Sequence, residues 1–333
     1  MGPSPHLEKP KLLVLELWGL GDLAIATPFL RAASKKFQIT LLAKPQANEM
    51  APLFFPLVNV VPFVAPWTAF HHKYRLLQWP WRELLQLRKL GHQDFDIAVS
   101  GRWDPRDHVL IRLMGIKQRL GFPRSGSQVF LTKALPQPAR EEHRYEYWHT
   151  LGRALELTLP ARNEIRPVLH ANGDLAVVHT GAGQKLRVWP LDRYRNLVAK
   201  LRRNGWQVKV LCDPDQEAWW QSAGEAHATA PGNITELVAV LKTARAFIGN
   251  DSGPGHLAAL VGVPTFTLFG PQLPQWFVPL HPAAEWLEGQ PCPYRPCFDS
   301  CRFPAPNCIL GLDEGMVWSR IGLFLSKHMP KPA

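Results

Sequence analysis

Long apolar runs are missing from this 333-residue chain. No segment reaches the roughly 18 uninterrupted apolar residues of a membrane span, and the best candidate, residues 12–30, is broken by Glu16 and Asp22. That excludes a helical membrane-integral protein. A secretory leader is not expected either: the first ten residues are polar, and no short apolar stretch ends in a small-residue cleavage site. A cytoplasmic, reducing location is therefore expected. Acidic residues are scarce beside basic ones, 27 against 38, and the formal charge of +11 points to an anionic partner. Nucleic acid, a phosphorylated metabolite or an acidic membrane surface would each satisfy it, and charge alone does not choose. Low-complexity tracts and short-period repeats are also missing, while 46% of residues are hydrophobic and 20% charged. This is the composition of a folded globular protein. The length exceeds what one hydrophobic core usually supports, so two domains are expected.

What is present reads as two consecutive β-α-β patterns. Residues 11–17 form a short apolar strand, Gly19-Leu20-Gly21-Asp22 a turn, residues 23–37 a helix-period segment and residues 39–43 a second strand. Strand-like residues 97–100 continue the alternation to about residue 160, favouring a mostly parallel sheet. A polar, proline-containing connection at 161–174 follows. The pattern then restarts with strands at 175–179, 207–212, 246–249 and 265–269 and helices at 191–204, 234–243 and 256–261. In doubly wound sheets ligands bind beyond the carboxyl ends of the strands, so the loops after Leu17, His179, Cys212 and Gly249 should carry the chemistry.

The first of these loops, Gly19 to Ala24, fits the glycine fingerprint of dinucleotide-binding enzymes, making a nicotinamide-dependent oxidoreductase the rival reading. Against it, Asp22 would put a carboxylate where a pyrophosphate needs bare N–H groups. Lys44 also stands where an acid would hold an NAD ribose. The alternatives for Asp22 are a base reaching into a cleft or a cap on the following helix. The loop Gly249-Asn250-Asp251-Ser252-Gly253-Pro254-Gly255-His256 ends a strand and opens a helix, so free N–H groups and the positive helix end converge as a diphosphate requires. Gly253 and Gly255 keep side chains off the ligand. His256 is either a phosphate donor or a structural residue, and Asp251 either a sugar ligand or a cap.

Three ordered motifs carry a family resemblance. Gly-Asn-Asp-Ser-Gly-Pro-Gly-His from Gly249, with Gly-Val-Pro and Phe-Gly-Pro after it, resembles the donor-binding signature of the heptosyltransferases of glycosyltransferase family 9. Leu20-Gly21-Asp22 with Ala26-Thr27-Pro28 resembles that family's first motif. His179-Thr180-Gly181-Ala182-Gly183 with Arg187-Val188-Trp189-Pro190 is similar to its loop on the donor phosphates. Residues 45–166 carry no matching motif. The resemblance implies an α/β protein of GT-B type, two Rossmann-like domains facing a cleft: residues 1–166 binding acceptor and residues 167–333 binding a nucleotide-sugar.

It further implies an inverting transfer of heptose from ADP-heptose to a lipopolysaccharide core or lipid A acceptor, with no cofactor required. Asp22 would be the catalytic base. Thr180, Gly181, Lys185, Arg187, Asp251, Ser252, Gly253, Gly255 and His256 would bind donor, with Arg187 the phosphate contact and Lys185 sharing that role. Gly19, Gly21 and Arg102 would lie on the acceptor side. The partners implied are the nucleotide-sugar and an anionic glycolipid, with peripheral association at the cytoplasmic face of the inner membrane and no nucleic acid. A basic nucleic-acid-binding protein is the non-enzyme rival. The chain departs from the family where it has Glu16, Trp18 and Gly19 in place of basic and small polar residues, so acceptor or sugar specificity is expected to differ.

Three further features stand outside these motifs. Cys292, Cys297, Cys301 and Cys308 crowd into seventeen residues, which suggests zinc, although their spacing is not that of a paired CxxC ribbon; structural thiols or disulfides are the alternatives. Asp213-Pro214-Asp215 imitates a metal-binding acidic pair but reads better as a turn. Trp67, Trp79, Trp81 and Trp103 lie among Lys73, Arg75, Arg82, Arg88, Lys89, Arg102 and Arg106. Such a mixture suits either a lipid head-group surface or a helix with one packed and one solvated face.

Overall fold

Five of the six residues in β1 (Lys11–Glu16) are buried, the pattern of a strand covered on both faces. Its neighbours β2 (Gln38–Ala43), β3 (Val58–Pro62), β4 (Ile97–Ser100), β5 (Gln118–Gly121) and β6 (Lys133–Ala134) complete an all-parallel sheet in the order β3-β2-β1-β4-β5-β6. The register sets Val14 beside Leu41 and Val99, so the central layer is continuous hydrocarbon. Connecting helices are α1 (Leu20–Lys36), α2 (Ala47–Phe54), α3 (Trp81–Gly91), α4 (Pro105–Leu113) and α5 (Tyr145–Ala154). This computed structural model describes residues 8–68, 81–168 and 173–329.

The helix α1 begins earlier than its apolar periodicity suggests. Gly19 is its N-cap in extended backbone and Leu20 its first residue, so Gly21 and Asp22 belong to the first helical turn, not to a separate turn. Neither glycine is left-handed here; the loop's sharpness comes from the extended-to-helical switch at Gly19. Leu23, Ile25, Ala26, Phe29, Leu30 and Ala33 are buried. Phe29 meets Trp148 of α5 with ring centroids 5.0 Å apart, and a Cβ on Gly101 would run into the same indole. Fully burying a side chain of this size contributes roughly 1.5–3 kcal/mol, which fixes α5 and the residue just before it, Arg144, beside α1.

A second sheet follows: β7 (Leu175–His179), β8 (Gln207–Leu211), β9 (Ala246–Asn250), β10 (Thr265–Phe269) and β11 (Ala284–Glu288), again all parallel, in the order β11-β10-β9-β7-β8. All five residues of β9 and of β10 are buried. The helices are α6 (Leu191–Arg203), α7 (Glu217–Ser222), α8 (Ile234–Thr243), α9 (Gly253–Leu260), α10 (Pro274–Phe277), α11 (Asn307–Leu310) and α12 (Glu314–His328). Val317, Ile321, Phe324 and Leu325 of α12 recur at helical spacing and enter the same core as Ile248 and Phe266. Asp313 caps α12 through Gly315 N–H and Met316 N–H.

The chain divides into one compact unit, Met1–Arg140 with Arg144–Pro160, and another, Ala161–Ala333 with Glu141–His143. In both sheets the strand order reverses direction at an interior pair, β1/β4 in the first and β7/β9 in the second. Crevices beyond the carboxyl ends of strands at such points are where open α/β sheets bind ligands.

Candidate functional site

At the reversal point of the first unit, β1, β2 and β4 deliver charged residues to one place. Glu16 ends β1, Lys44 follows β2, and Arg102 lies two residues beyond β4. Asp22 joins them from the first turn of α1, where the helix dipole favours a carboxylate. Its Oδ2 accepts from Gly19 N–H at 3.1 Å, so it does cap the helix. Its side chain nevertheless keeps 17% of its surface, within 4.0 Å of Arg144.

The surroundings of Asp22 are dry and charged. Glu16 is fully buried; Oε1 accepts from Trp18 N–H at 3.1 Å, and Oε2 lies 4.0 Å from Nη2 of Arg144. Burial first, and then the charge of Asp22, push its carboxyl up to about 7 against the opposing pull of Arg144 and Arg102. The Arg102 guanidinium, with no exposed surface, sits 2.9 Å from Asp104 and 3.1 Å from Asp107 and lies over the Trp18 ring at 5.1 Å. Burial holds Asp107 above the usual carboxylate range despite Arg102. Lys44 donates to Thr68 O, and its ammonium is pushed down mainly by desolvation, although the nearby Asp22 raises it.

In the second unit the loops after β7 and β9 are tied together by Asn250. Its fully buried amide donates to Thr180 O at 2.9 Å and Gly181 O at 3.3 Å. Its Oδ1 accepts from Trp189 N–H at 3.1 Å and Tyr194 O–H at 2.9 Å. Thr180 Oγ1 donates to Gln216 and accepts from Trp220 Nε1–H, so the side chain is structural. A Cβ on Gly181 would overlap the Asp213 carboxylate, and one on Gly249 would stand 2.8 Å from His179 O. Asp213 accepts from Ala182 N–H at 2.9 Å, and Asp215 lies 3.5 Å from Lys185, so both acids of this turn have protein partners.

Ser252 caps α9 in extended backbone, with Gly253 and Gly255 in the first turn. Beside this helix end Arg187 is held on two sides. Nη1 lies 3.1 Å from Asp251, while Nε and Nη2 grip Asp299 at 2.8 and 2.6 Å. Both carboxylates are nearly buried and Arg187 retains 22% exposure, whereas Lys185 is 93% exposed. His256 is buried, and burial with the adjacent Arg187 charge pushes it down to about 4. It is therefore neutral at pH 7.

The candidate residues thus gather into two sets: Gly19, Gly21, Asp22 and Arg102 in the first unit, and Thr180, Gly181, Arg187, Asp251, Ser252, Gly253, Gly255 and His256 in the second. Lys185 stands apart on the surface. Sequence reasoning missed Arg144, Asn250 as a tie, and Asp299. Asp299 lies 112 residues from Arg187, and no local pattern links them. Cys292, Cys297, Cys301 and Cys308 are free thiols that line one cavity of about 140 Å³. Among the described residues, no three His, Cys, Asp or Glu side chains are arranged to hold a metal ion. Arg102 and Trp103 join the caged cluster instead of a lipid-facing surface, while Arg88 and Lys89 are exposed on α3. Trp79, Lys73 and Arg75, and the side chains of Trp81 and Arg82, lie outside the described residues.

Two all-parallel α/β units, with a carboxylate at one reversal point and a glycine-rich helix start at the other, place the chain in the GT-B fold class. The family model of glycosyltransferase family 9 (heptosyltransferase) matches residues 85–304, and the chain belongs to that family. It is 26% identical over 310 residues to lipopolysaccharide heptosyltransferase 1 of Pseudomonas aeruginosa, covering 86% of each. The glycosyl transferase family 9 structure from Veillonella parvula superposes with a TM-score of 0.74 at 18% identity, over 97% of this chain and 99% of that one. E. coli heptosyltransferase WaaC, solved with ADP, gives a TM-score of 0.71 at 16% identity, over 94% and 99%. The family match leaves the nicotinamide reading of the first glycine loop without support.

Proposed function

We propose that this glycosyltransferase is an inverting heptosyltransferase, moving heptose from ADP-heptose to an anionic lipopolysaccharide core or lipid A acceptor. The relatives supply the substrate class: P. aeruginosa heptosyltransferase 1 is named for lipopolysaccharide, and the WaaC structure holds ADP. The observation that carries the mechanism is Asp22, a partly exposed carboxylate held at a helix start among buried Arg144, Arg102 and Glu16. On this reading residues 1–166 bind acceptor, with Gly19 and Gly21 at the reacting end and buried Arg102 acting through its field. Residues 167–333 bind donor through the α9 amides, Arg187, Asp251 and neutral His256, with Thr180 and Gly181 shaping the loop and Lys185 a peripheral charge.

In the reaction the acceptor hydroxyl attacks the anomeric carbon as the bond to the diphosphate breaks. Asp22 takes the hydroxyl proton and ADP leaves with the bonding pair. A sugar hydroxyl is a poor nucleophile at neutral pH, so the base is where most of the chain's own chemistry lies. No cofactor is needed for these steps. The +11 charge fits an anionic acceptor and peripheral contact with the cytoplasmic face of the inner membrane. Among the described residues no helix is long and apolar enough to cross a membrane.

Asp22→Asn tests the base. Asn keeps the shape and caps nearly as well, so folding and ADP affinity should persist while transfer falls by roughly a hundred- to ten-thousand-fold. Near-normal turnover with saturating donor and acceptor would remove Asp22 from the mechanism.

A further inference from the structure

Arg144 is 2% exposed, yet its Nε, Nη1 and Nη2 have no hydrogen-bond partner among the described residues. Its guanidinium is enclosed instead by aromatic rings: Trp18 at 4.5 Å, Trp103 at 5.0 Å and Tyr147 at 4.7 Å from the ring centroids. Two carboxylates face it, Glu16 Oε2 and Asp22 Oδ1, each at 4.0 Å. Arg102, in the same cluster, shows what a structural ion pair looks like here, since it closes to 2.9 Å on Asp104 and 3.1 Å on Asp107. Arg144 does not close on anything. The rings keep water off it and cation–π attraction holds it in place, so its effect on both carboxylates is a Coulomb field through a dry medium and not a set of hydrogen bonds.

We propose that Arg144 and Glu16 form a positioning pair of opposite sign that sets the ionisation of Asp22. The proposal rests on the reading of Asp22 as the base. Arg144 favours the carboxylate form of Asp22 and so keeps the base ready. Fully buried Glu16 opposes it when ionised and releases it when protonated, and its carboxyl, pushed up to about 7, changes charge in the working range. The remaining charges facing this pair are Arg102 from beyond β4, Lys44 from beyond β2, and Asp104 and Asp107 beside Arg102. Arg102 is paired with its two aspartates but still pulls on Glu16. Among the described residues the carboxylates that face Arg144 are Glu16 and Asp22.

The test is the acid limb of the kcat/KM profile for transfer, which reports the ionisation of the free enzyme's base. An opposite charge within about 4–6 Å lowers a carboxyl by roughly one to three pH units, and a like charge raises it. Arg144→Met, which keeps volume between the rings, should therefore move the limb up by at least about one unit. Glu16→Gln fixes the neutral form that Glu16 already holds below about 7, so it should leave the Asp22 limb in place and remove the second step that ionisation of Glu16 adds near 7. Arg144→Lys, which keeps the charge, should leave the limb near its original position. A residue that merely supports the fold would lower rates while leaving both the limb and the step near 7 unchanged.

ADP affinity, measured separately, should stay unchanged in all three variants. If Arg144→Met fails to fold, Glu16→Gln still decides, because it is nearly isosteric and removes only the charge. An unmoved limb in Arg144→Met, or a step near 7 that survives Glu16→Gln, would overturn the proposal. So would a raised acceptor KM in Arg144→Met with the limb in place, which would make Arg144 an acceptor contact. Should Asp22→Asn retain transfer, the base reading itself fails; if that variant is inactive while the limb in Arg144→Met and the step near 7 in Glu16→Gln both stay put, only the positioning pair fails.

Discussion

Arg187→Ala probes the donor site most directly. The guanidinium makes three charge-assisted contacts, at 3.1 Å to Asp251 and at 2.8 and 2.6 Å to Asp299. These two side chains are only 4% and 7% exposed, so both carboxylates lose their counter-charge when it is removed. Breaking a buried pair costs about 3–5 kcal/mol, and the 22% exposure of Arg187 argues for the low end, about 3 kcal/mol of stability. If Arg187 also contacts the diphosphate, a charged hydrogen bond worth about 1.5–3 kcal/mol is lost. That corresponds to roughly a ten- to hundred-fold weaker ADP affinity. Lys185→Ala should cost less than about fivefold, because a solvated lysine contributes about 1 kcal/mol or less. Titration calorimetry with ADP measures the first effect and urea unfolding the second. Adding Asp299→Asn to Arg187→Ala should recover part of the stability. A larger loss of ADP affinity in Lys185→Ala, or none in either variant, would refute the donor assignment; unchanged unfolding would refute the clamp.

Asn250→Asp keeps the shape of the tie but replaces two donors with acceptors facing Thr180 O and Gly181 O. Thr180 O keeps Gln216 Nε2–H at 3.3 Å, but Gly181 O loses its donor; leaving a buried carbonyl unsatisfied costs about 1–3 kcal/mol, so the melting temperature should fall by a few degrees, and an unchanged one would contradict the network. Acid should unfold the second unit first. His179, His256 and His281 there are all pushed down to about 4 by burial, so between pH 6.5 and 4 the unfolded chain binds protons the folded unit refuses. Stability is then lost as pH falls, by up to about 1.4 kcal/mol per pH unit for each histidine. In the first unit His108 behaves the same way, but Glu16, raised to about 7, holds a proton that the unfolded chain loses above 4.5 and offsets it. Hydrogen exchange, pulsed at one fixed pH after equilibration, should show β7, β9 and β10 exposed before β1, β2 and β4; the reverse order would sink the argument. Liposome co-sedimentation should require anionic lipid and weaken with salt, since screening acts over about 8 Å at physiological ionic strength. Equal sedimentation with neutral lipid would argue against head-group docking.

Strand positions such as Ile97–Ser100, Leu175–His179 and Thr265–Phe269 were legible in the sequence because a buried parallel strand is a short unbroken apolar run. The two glycine-rich strand-to-helix loops were equally legible, since Gly, Asn, Asp and Ser cluster where a chain must turn and leave N–H groups open. Short or half-exposed strands such as Val58–Pro62 and Ala284–Glu288 gave no comparable signal. Local pattern fixed the elements and the candidate Asp22, but it could not say that Asp22 both caps α1 and faces Arg144, because that depends on α5 seating beside α1 through Phe29 and Trp148. The pairing of Arg187 with Asp299 and the cage around Arg144 join residues remote in sequence. A side chain's charge is written in the sequence, whereas the burial that moves its ionisation is decided only when distant segments pack around it and exclude water.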